Sequence, residues 1–164
     1  MKIFLGWLAM AVGFYVLQSS LLPLIFFRGI GPDLLLLLTV SYAFLKGNKL
    51  GSFMGFLVGL FEDLATGSFL GVNTFINMLL GFGCGTFSNR VLRDSFILPI
   101  FASCVGTTAS YCVHELVMVL LGYGFYPIAH IQMKLLSMLC YNVIFAWPVY
   151  VLVQRMDTRL SKNK

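Results

Sequence analysis

The stretch KGNKLGSFMGFLVGLFEDLATG, residues 46–67, carries the most informative pattern of this chain. Glycine recurs at every fourth position from Gly47 through Gly51 and Gly55 to Gly59, and the next step of four is Asp63. Glycine is a poor helix former in water, and a carboxylate in an apolar run is unfavourable unless it is paired or hydrated. In a membrane, however, small residues four apart let two helix backbones pack closely. The stretch therefore predicts a membrane helix that presents a smooth face to protein.

The composition of the whole chain also indicates a membrane protein. It has 164 residues, of which 59% are hydrophobic and 10% are charged, and its mean hydropathy is +0.92. A soluble domain carries about 25% charged residues. A bilayer core admits only helices or closed barrels, and the apolar runs here are continuous, whereas barrel strands alternate. We therefore expect an all-α integral membrane protein.

Charged residues, glycine and proline divide the apolar sequence into six segments. The predicted helices are residues 3–27, 33–45, 50–65, 69–87, 95–121 and 129–153. We expect them to form a six-transmembrane-helix bundle, a single domain over residues 1–164 with a short cytoplasmic C-terminal tail. The first run is too long for the apolar region of a signal peptide and has no cleavage site, so it predicts an uncleaved helix.

The second and third segments are shorter than a usual membrane span. Thirteen helical residues reach about 20 Å, whereas a bilayer core is about 30 Å thick. Either these helices are buried among others, broken or extended by flanking residues, or they form a re-entrant hairpin in a five-span protein. The sequence leaves these alternatives open.

The basic residues predict that both termini lie in the cytoplasm. With six spans and a cytoplasmic N-terminus, nine of the 11 lysines and arginines face inward, and Arg28 and Lys134 face outward. This split follows the positive-inside rule. We therefore expect a multi-pass membrane protein, and we do not interpret the net charge of +5 as a nucleic-acid signal.

Several ionisable residues fall in the outer half of this topology. Ionisable groups inside a membrane often belong to functional sites, so each of them is a candidate. They are Asp33, Glu62, Asp63, His114, Glu115 and His130. A ligand pocket, a metal site, a proton path and a helix-capping network are all open interpretations. Asp33 follows Pro32 at a predicted helix start, where a carboxylate meets free N–H groups, so capping is its simplest role.

A metal or catalytic site is disfavoured by the spacing of these residues. The pairs Glu62–Asp63 and His114–Glu115 are sequence neighbours, which point about 100° apart on a helix. No motif orders the carboxylates around a nucleophile, and the four cysteines lie in apolar stretches without a CxxC pair. We therefore predict no enzyme activity, no metal and no cofactor.

The remaining candidates are structural or interaction residues. The glycine stripe either packs helices within the bundle or receives a helix of another protein. Gln18, Asn73 and Asn77 are expected to form interhelical hydrogen bonds. For Asp63 the donor is a helix-start N–H, His114 or a partner's basic residue. The candidate set is Asp33, Gly51, Gly55, Gly59, Glu62, Asp63, Gly67, Gly71, His114 and Glu115.

Residues 31–91 resemble a known family. The stretches GPDLLLLLTVSYAFLKG, GSFMGFLVGLFEDLATGSFLGVNTF and GFGCGTFSNRV are similar to the rod shape-determining protein MreD family. That pattern has a Pro-Asp-Leu-rich second helix and a glycine-rich third helix ending in Asp-Leu, a small residue and Gly. The positions that carry it are Pro32, Asp33, Gly55, Gly59, Asp63, Leu64, Gly67, Leu70 and Gly71. Glu62 departs from the pattern, which places an apolar residue there.

The resemblance implies a non-enzymatic scaffold of the cell-elongation complex in the inner membrane, which helps to organise lateral peptidoglycan synthesis and cell shape. The implied partners are MreC first, then MreB, RodA and a class B penicillin-binding protein, within a lipid bilayer. The family also resembles the fold of the substrate-binding subunits of ECF vitamin transporters. The alternative function is therefore a small-molecule-binding subunit of such a transporter.

Overall fold

The computed structural model describes residues 2–21, 31–67, 69–88, 97–122 and 128–162, and the regular secondary structure of these residues is all helical. A short π-helix, Leu17–Leu21, follows the first α-helix. The α-helices are α1 (Lys2–Val16), α2 (Leu34–Lys46), α3 (Asn48–Thr66), α4 (Val72–Ser88), α5 (Ile97–Leu120) and α6 (Ile128–Lys162).

The predicted helices correspond one to one with these six. The first helix passes into the π-helix after Val16, and residues 22–27 of its predicted range lie outside the described residues. A further difference is at the C-terminus. There α6 continues to Lys162, so most of the predicted tail is helical. Two side chains of this extension, Met156 and Leu160, lie against Gly6 of α1. Arg28 and the predicted breaks at residues 28–30, 89–94 and 123–127 lie outside the described residues.

Helix α2 forms the centre of the bundle. Its leucine run and most of the following turn are buried, and it packs against α1, α3, α4, α5 and α6. A helix that is apolar all round is stable when it is enclosed on every side. The 13 residues of α2 reach about 20 Å, so its shortness reflects its position inside the bundle, surrounded by other helices.

Two polar contacts align α2 with α6. At one end the backbone N–H of Asp33 donates to the side-chain oxygen of Asn142 at 2.7 Å. At the other end the Lys46 ammonium lies 2.6 Å from the Asp157 carboxylate. The two contacts follow the same chain order on both helices, so α2 and α6 run parallel. Asn142, which lies beside the start of α2, is several turns after the first residue of α6. The N-terminal part of α6 therefore extends about 20 Å beyond the start of α2.

Two helical segments satisfy the length and apolarity of a membrane span within the described residues. They are Pro99–Leu120 of α5 and Gln132–Ser161 of α6, and the shorter apolar helices are Leu5–Ser20, Leu34–Lys46 and Val72–Phe87. Large apolar side chains also cover the outside of the bundle, and Leu120 and Leu70 are 77% and 71% exposed. Such a surface suits lipid.

Candidate functional site

The glycine stripe of α3 packs directly on the backbone of α4. A Cβ added at Gly59 would lie 2.5 Å from the carbonyl oxygen of Asn73, and one at Gly55 would lie 2.6 Å from the carbonyl carbon of Asn77. A Cβ added at Gly51 would lie 2.7 Å from the carbonyl oxygen of Gly81. Real Cβ atoms do not approach backbone this closely, so these positions accept only glycine at the present helix separation.

The contact with α4 distinguishes between the two predicted roles of the glycine stripe, packing within the bundle and binding a helix of another protein. The face formed by Gly51, Gly55 and Gly59 is already occupied by α4, so the stripe packs the bundle internally. Gly67 and Gly71 have a different role. Their φ angles are +62° and +106°, a region that non-glycine residues rarely adopt, and they lie at the two ends of the connection from α3 to α4.

Asp63 caps the start of α4 from the last turn of α3. Its Oδ2 accepts the backbone N–H groups of Gly71 at 2.9 Å and Thr74 at 3.1 Å, and the Thr74 hydroxyl at 2.6 Å. Its Oδ1 accepts the backbone N–H of Asn73 at 3.1 Å. The first N–H groups of a helix have no partner in the helix, and a carboxylate there also meets the positive end of the helix dipole. The helix-start N–H groups, one of the predicted donors, therefore bind Asp63, which is 1% exposed.

Asp33 caps α2 in the same manner. Its Oδ1 accepts the backbone N–H of Leu36 at 2.9 Å, which is the capping role expected from its place after Pro32. The preceding N–H groups are satisfied from elsewhere in the fold: Gln18 accepts the N–H of Leu34 at 2.8 Å, and Asn142 accepts the N–H of Asp33. The start of α2 is therefore held by the π-helix and by α6.

Asn142 and Thr107 are buried polar residues beside this site that the sequence reasoning missed. The Asn142 side-chain N–H donates to the Thr107 hydroxyl at 2.7 Å, and that hydroxyl donates to the carbonyl of Ser103 at 2.6 Å. All three residues are fully buried. An asparagine inside a long apolar helix was the available signal, since a polar side chain there needs a partner.

Glu62 lies beside these caps but has fewer donors. Its Oε2 accepts a hydrogen bond from the Asn77 side-chain N–H at 3.3 Å, which is the interhelical role predicted for Asn77. The carboxylates of Asp33 and Asp63 are both close enough to repel a charge on Glu62. We call Asp33, Glu62 and Asp63 the acidic cluster.

The acidic cluster joins the start of α2, the end of α3 and, through Asn77 and Thr74, the first turns of α4. If Lys46 marks the cytoplasmic interface, the cluster lies about 20 Å into a bilayer core of about 30 Å. Among the described residues, no group of three or more His, Cys, Asp and Glu side chains has a geometry that could hold a metal ion.

His114 and Glu115 belong to a different group, on the pair α5–α6. Both are partly buried. The Lys134 ammonium lies 5.7 Å from the centroid of the Tyr111 ring, and the charges of Lys134 and Glu115 both act on His114. The hydrogen-bond donors found for Asp63 come from the start of α4, whereas the charged residues that act on His114 lie on α5 and α6, so we treat this α5–α6 group apart from the acidic cluster. The side chain of His130 lies outside the described residues.

A buried leucine helix, backbone-to-backbone glycine packing, internally satisfied helix starts and an apolar outer surface together define a helical membrane protein. The family model for rod shape-determining protein MreD matches residues 1–156, so the chain belongs to the MreD family. The search of curated proteins and the search of solved structures found no match. Membership of this family gives the protein a role in rod-shape determination.

Proposed function

We propose that this protein is a non-enzymatic membrane scaffold of the cell-elongation complex, and that it binds MreC and helps to organise lateral peptidoglycan synthesis. The observation that carries the proposal is the family match over residues 1–156. MreB, RodA and a class B penicillin-binding protein are the further partners that this role implies. The whole chain would act as one transmembrane domain, with no cofactor.

The connection between α3 and α4 is the structural element that we assign to this role. Asp63 accepts N–H groups of Gly71 and Asn73, and the left-handed Gly67 ends α3. Leu70 and Phe69 are exposed beside these anchors. We propose that Asp63 holds the connection in a fixed shape and that its apolar side chains form part of the outer surface that MreC contacts.

The proposed topology is multi-pass in the inner membrane with both termini in the cytoplasm. The helix pairs α2–α3 and α3–α4 are joined by short connections and are antiparallel, which is consistent with a chain that returns after each crossing. An even number of crossings then follows from the basic residues at both ends of the chain. The proposed fold is a six-helix bundle that resembles the substrate-binding subunits of ECF transporters.

Copurification tests the scaffold role. The tagged chain is extracted in mild detergent, and bound proteins are identified by mass spectrometry beside cell-shape measurements in a depletion strain. MreC should copurify with the wild type, and should be reduced with Asp63→Leu at equal protein level. Asp33→Asn, which keeps a capping side chain on a neighbouring helix, is the control and should retain MreC. Absence of MreC from the wild-type extract would contradict the proposal.

A second candidate function is a small-molecule-binding subunit of an ECF-type vitamin transporter. The observation in its favour is the buried carboxyl of Glu62, whose hydrogen bond within the described part of the chain is long, at 3.3 Å. A transporter subunit would bind a vitamin-sized ligand with micromolar or better affinity and would copurify with an energy-coupling module. A nutrient requirement in the deletion strain, with normal cell shape, would favour this function over the scaffold.

A further inference from the structure

The carboxyl of Glu62 has acceptors and negative charges as neighbours. It is 9% exposed, and within the described chain its hydrogen-bond donor is the Asn77 amide at 3.3 Å. Asp33 and Asp63 add negative charge beside it. The ion pair found among the described residues, Lys46–Asp157, lies at the other end of α2. A buried carboxylate needs a hydrogen-bond donor or an opposite charge. The described residues do not place a cation beside Glu62.

Asn77 supplies a second, independent observation. The residue is 3% exposed, and its side-chain oxygen has no hydrogen-bond partner among the described residues. Its side-chain nitrogen is bound to Glu62. Because the oxygen and the nitrogen are attached to one carbon atom, the free oxygen lies beside the Glu62 carboxyl. Buried amide oxygens are almost always hydrogen-bonded, so an acceptor without a donor at this point indicates a missing donor group.

The other carboxylates of the cluster differ from Glu62 in this respect. Asp63 is occupied by the start of α4, with donors at 2.6–3.1 Å. Asp33 is occupied by the N–H of Leu36 at 2.9 Å. Asp63 thus binds the start of α4, and Asp33 binds the start of α2. Among the described residues, the Glu62 carboxyl has no helix-start donor and the Asn77 oxygen has no donor, and both lie beside two further carboxyl groups.

We propose that Glu62 and the Asn77 side-chain oxygen bind a hydrogen-bond-donating organic cation, an ammonium or guanidinium group. Such a group carries several N–H donors and a positive charge. It can therefore donate to the Glu62 carboxyl and to the neighbouring Asn77 amide oxygen together. A metal ion does not fit, because the described residues lack a suitable set of three ligands. The cation is either a basic side chain of a partner polypeptide or a free small molecule. The inference goes beyond the scaffold role and holds without it.

The first test uses the full chain, purified in detergent, with two cations of equal charge. Propylguanidinium carries N–H donors, whereas tetramethylammonium carries none. At about 10 mM, propylguanidinium should raise the unfolding temperature by mass action, and tetramethylammonium should not. Glu62→Gln keeps the shape and the Asn77 contact, and should weaken the apparent affinity about tenfold or more. Glu115→Gln, in the separate α5–α6 group, is the control and should bind as the wild type does.

A second measurement needs no variant, so it remains decisive if Glu62→Gln does not fold. Dicyclohexylcarbodiimide attaches to carboxyl groups inside membranes, and mass spectrometry locates the modified residues. Propylguanidinium should protect Glu62 of the wild type and leave the modification of Glu115 unchanged. Equal responses to the two cations, unaltered binding by Glu62→Gln, or lack of protection at Glu62 would each overturn the proposal.

The two sources of the cation are separated by repeating the protection assay on the complex extracted in mild detergent. If a partner's basic side chain fills the site, Glu62 is already protected in the complex and becomes sensitive to propylguanidinium only after the partner is removed. If the ligand is a free small molecule, the complex and the isolated chain respond alike. The copurification test of the scaffold role is independent of the cation test, because MreC can copurify whether or not Glu62 binds a cation.

Discussion

The hydroxyl of Thr107 accepts the side-chain N–H of Asn142 at 2.7 Å, and this hydrogen bond sets the orientation of the Asn142 amide. Since the nitrogen faces α5, the oxygen faces the start of α2, where it accepts the N–H of Asp33 at 2.7 Å. The Thr107 hydroxyl in turn donates to Ser103. A chain of hydrogen bonds therefore links three helices around the buried start of the central helix.

Removing the Thr107 hydroxyl should destabilise the protein. Thr107→Val leaves the Asn142 N–H without an acceptor in a fully buried place, and a group left in that state costs about 1–3 kcal/mol. Thr108→Val is the matched control, because Thr108 is exposed and its hydroxyl bonds within its own helix, to the carbonyl of Cys104. Thermal unfolding of the two purified variants in one detergent makes the comparison. Equal unfolding temperatures would show that the hydrogen-bond chain is unimportant.

Alanine at Gly55 should lower stability and yield. The added methyl would meet the backbone of Asn77, and backbone cannot rotate away as a flexible side chain can, so α3 and α4 must separate, at about 1–3 kcal/mol. Gly83→Ala is the control on α4, because an added Cβ there would lie more than 4 Å from every described atom beyond its own stretch of helix. That change should be neutral or stabilise by about 0.5–1 kcal/mol. Size-exclusion profiles and unfolding temperatures measure both.

If Gly55→Ala and Gly83→Ala accumulate equally and unfold at the same temperature, the close packing of α3 on α4 is not required. A Gly55→Leu variant that accumulates normally but loses a partner would instead assign the stripe to an external interface.

Asp63→Asn should be more damaging than Asp33→Asn. The two oxygens of Asp63 both accept N–H groups, so the NH2 of an asparagine must face at least one donor, at about 1–3 kcal/mol. Asp33 accepts the N–H of Leu36 with one oxygen, and asparagine caps a helix about as well as aspartate. Asp63→Leu removes every acceptor and should be the least stable. Unfolding temperatures that fall from Asp33→Asn to Asp63→Asn to Asp63→Leu would confirm the cap. An Asp63→Leu variant that unfolds at the wild-type temperature would contradict it.

The Lys46–Asp157 ion pair should contribute little to stability. Its side chains are 29% and 22% exposed, and ion pairs near the surface contribute about 0–1 kcal/mol. Asp157→Asn should therefore lower the unfolding temperature only slightly, and high salt should remove the difference from the wild type. A large loss that persists in high salt would show that the pair does more than align α2 with α6.

Cysteine labelling should place residue 124 outside and residue 163 inside. In a background with Cys84, Cys104, Cys112 and Cys140 replaced, a membrane-impermeant maleimide should modify Gly124→Cys in intact cells. Asn163→Cys should react only after lysis, because the basic residues favour a cytoplasmic C-terminus. Labelling of Asn163→Cys in intact cells would overturn the proposed orientation.

The amino-acid sequence alone was enough to predict a membrane environment, the helices and their approximate bounds. Long apolar runs with few charges leave only helices as an answer in a bilayer, and the four-residue spacing of Gly51, Gly55 and Gly59 requires a close helix contact. The place of Asp33 after Pro32 also indicated a cap, because that rule depends on neighbouring residues alone. These conclusions rest on local spacing, which the sequence displays directly.

The partners of these residues became clear from the packing of the helices. The spacing of the glycines did not distinguish α4 from the helix of another protein, since either would require the same smooth face. Asp63 had three candidate donors, and the position of the α4 start selected among them. Asn142 and Asp33 are far apart in the chain, and no local pattern predicts that α6 places an amide oxygen at the start of α2. Contacts between distant segments depend on how the helices pack in three dimensions, and for that reason the hydrogen bond between Asp33 and Asn142 could be found only in the folded chain.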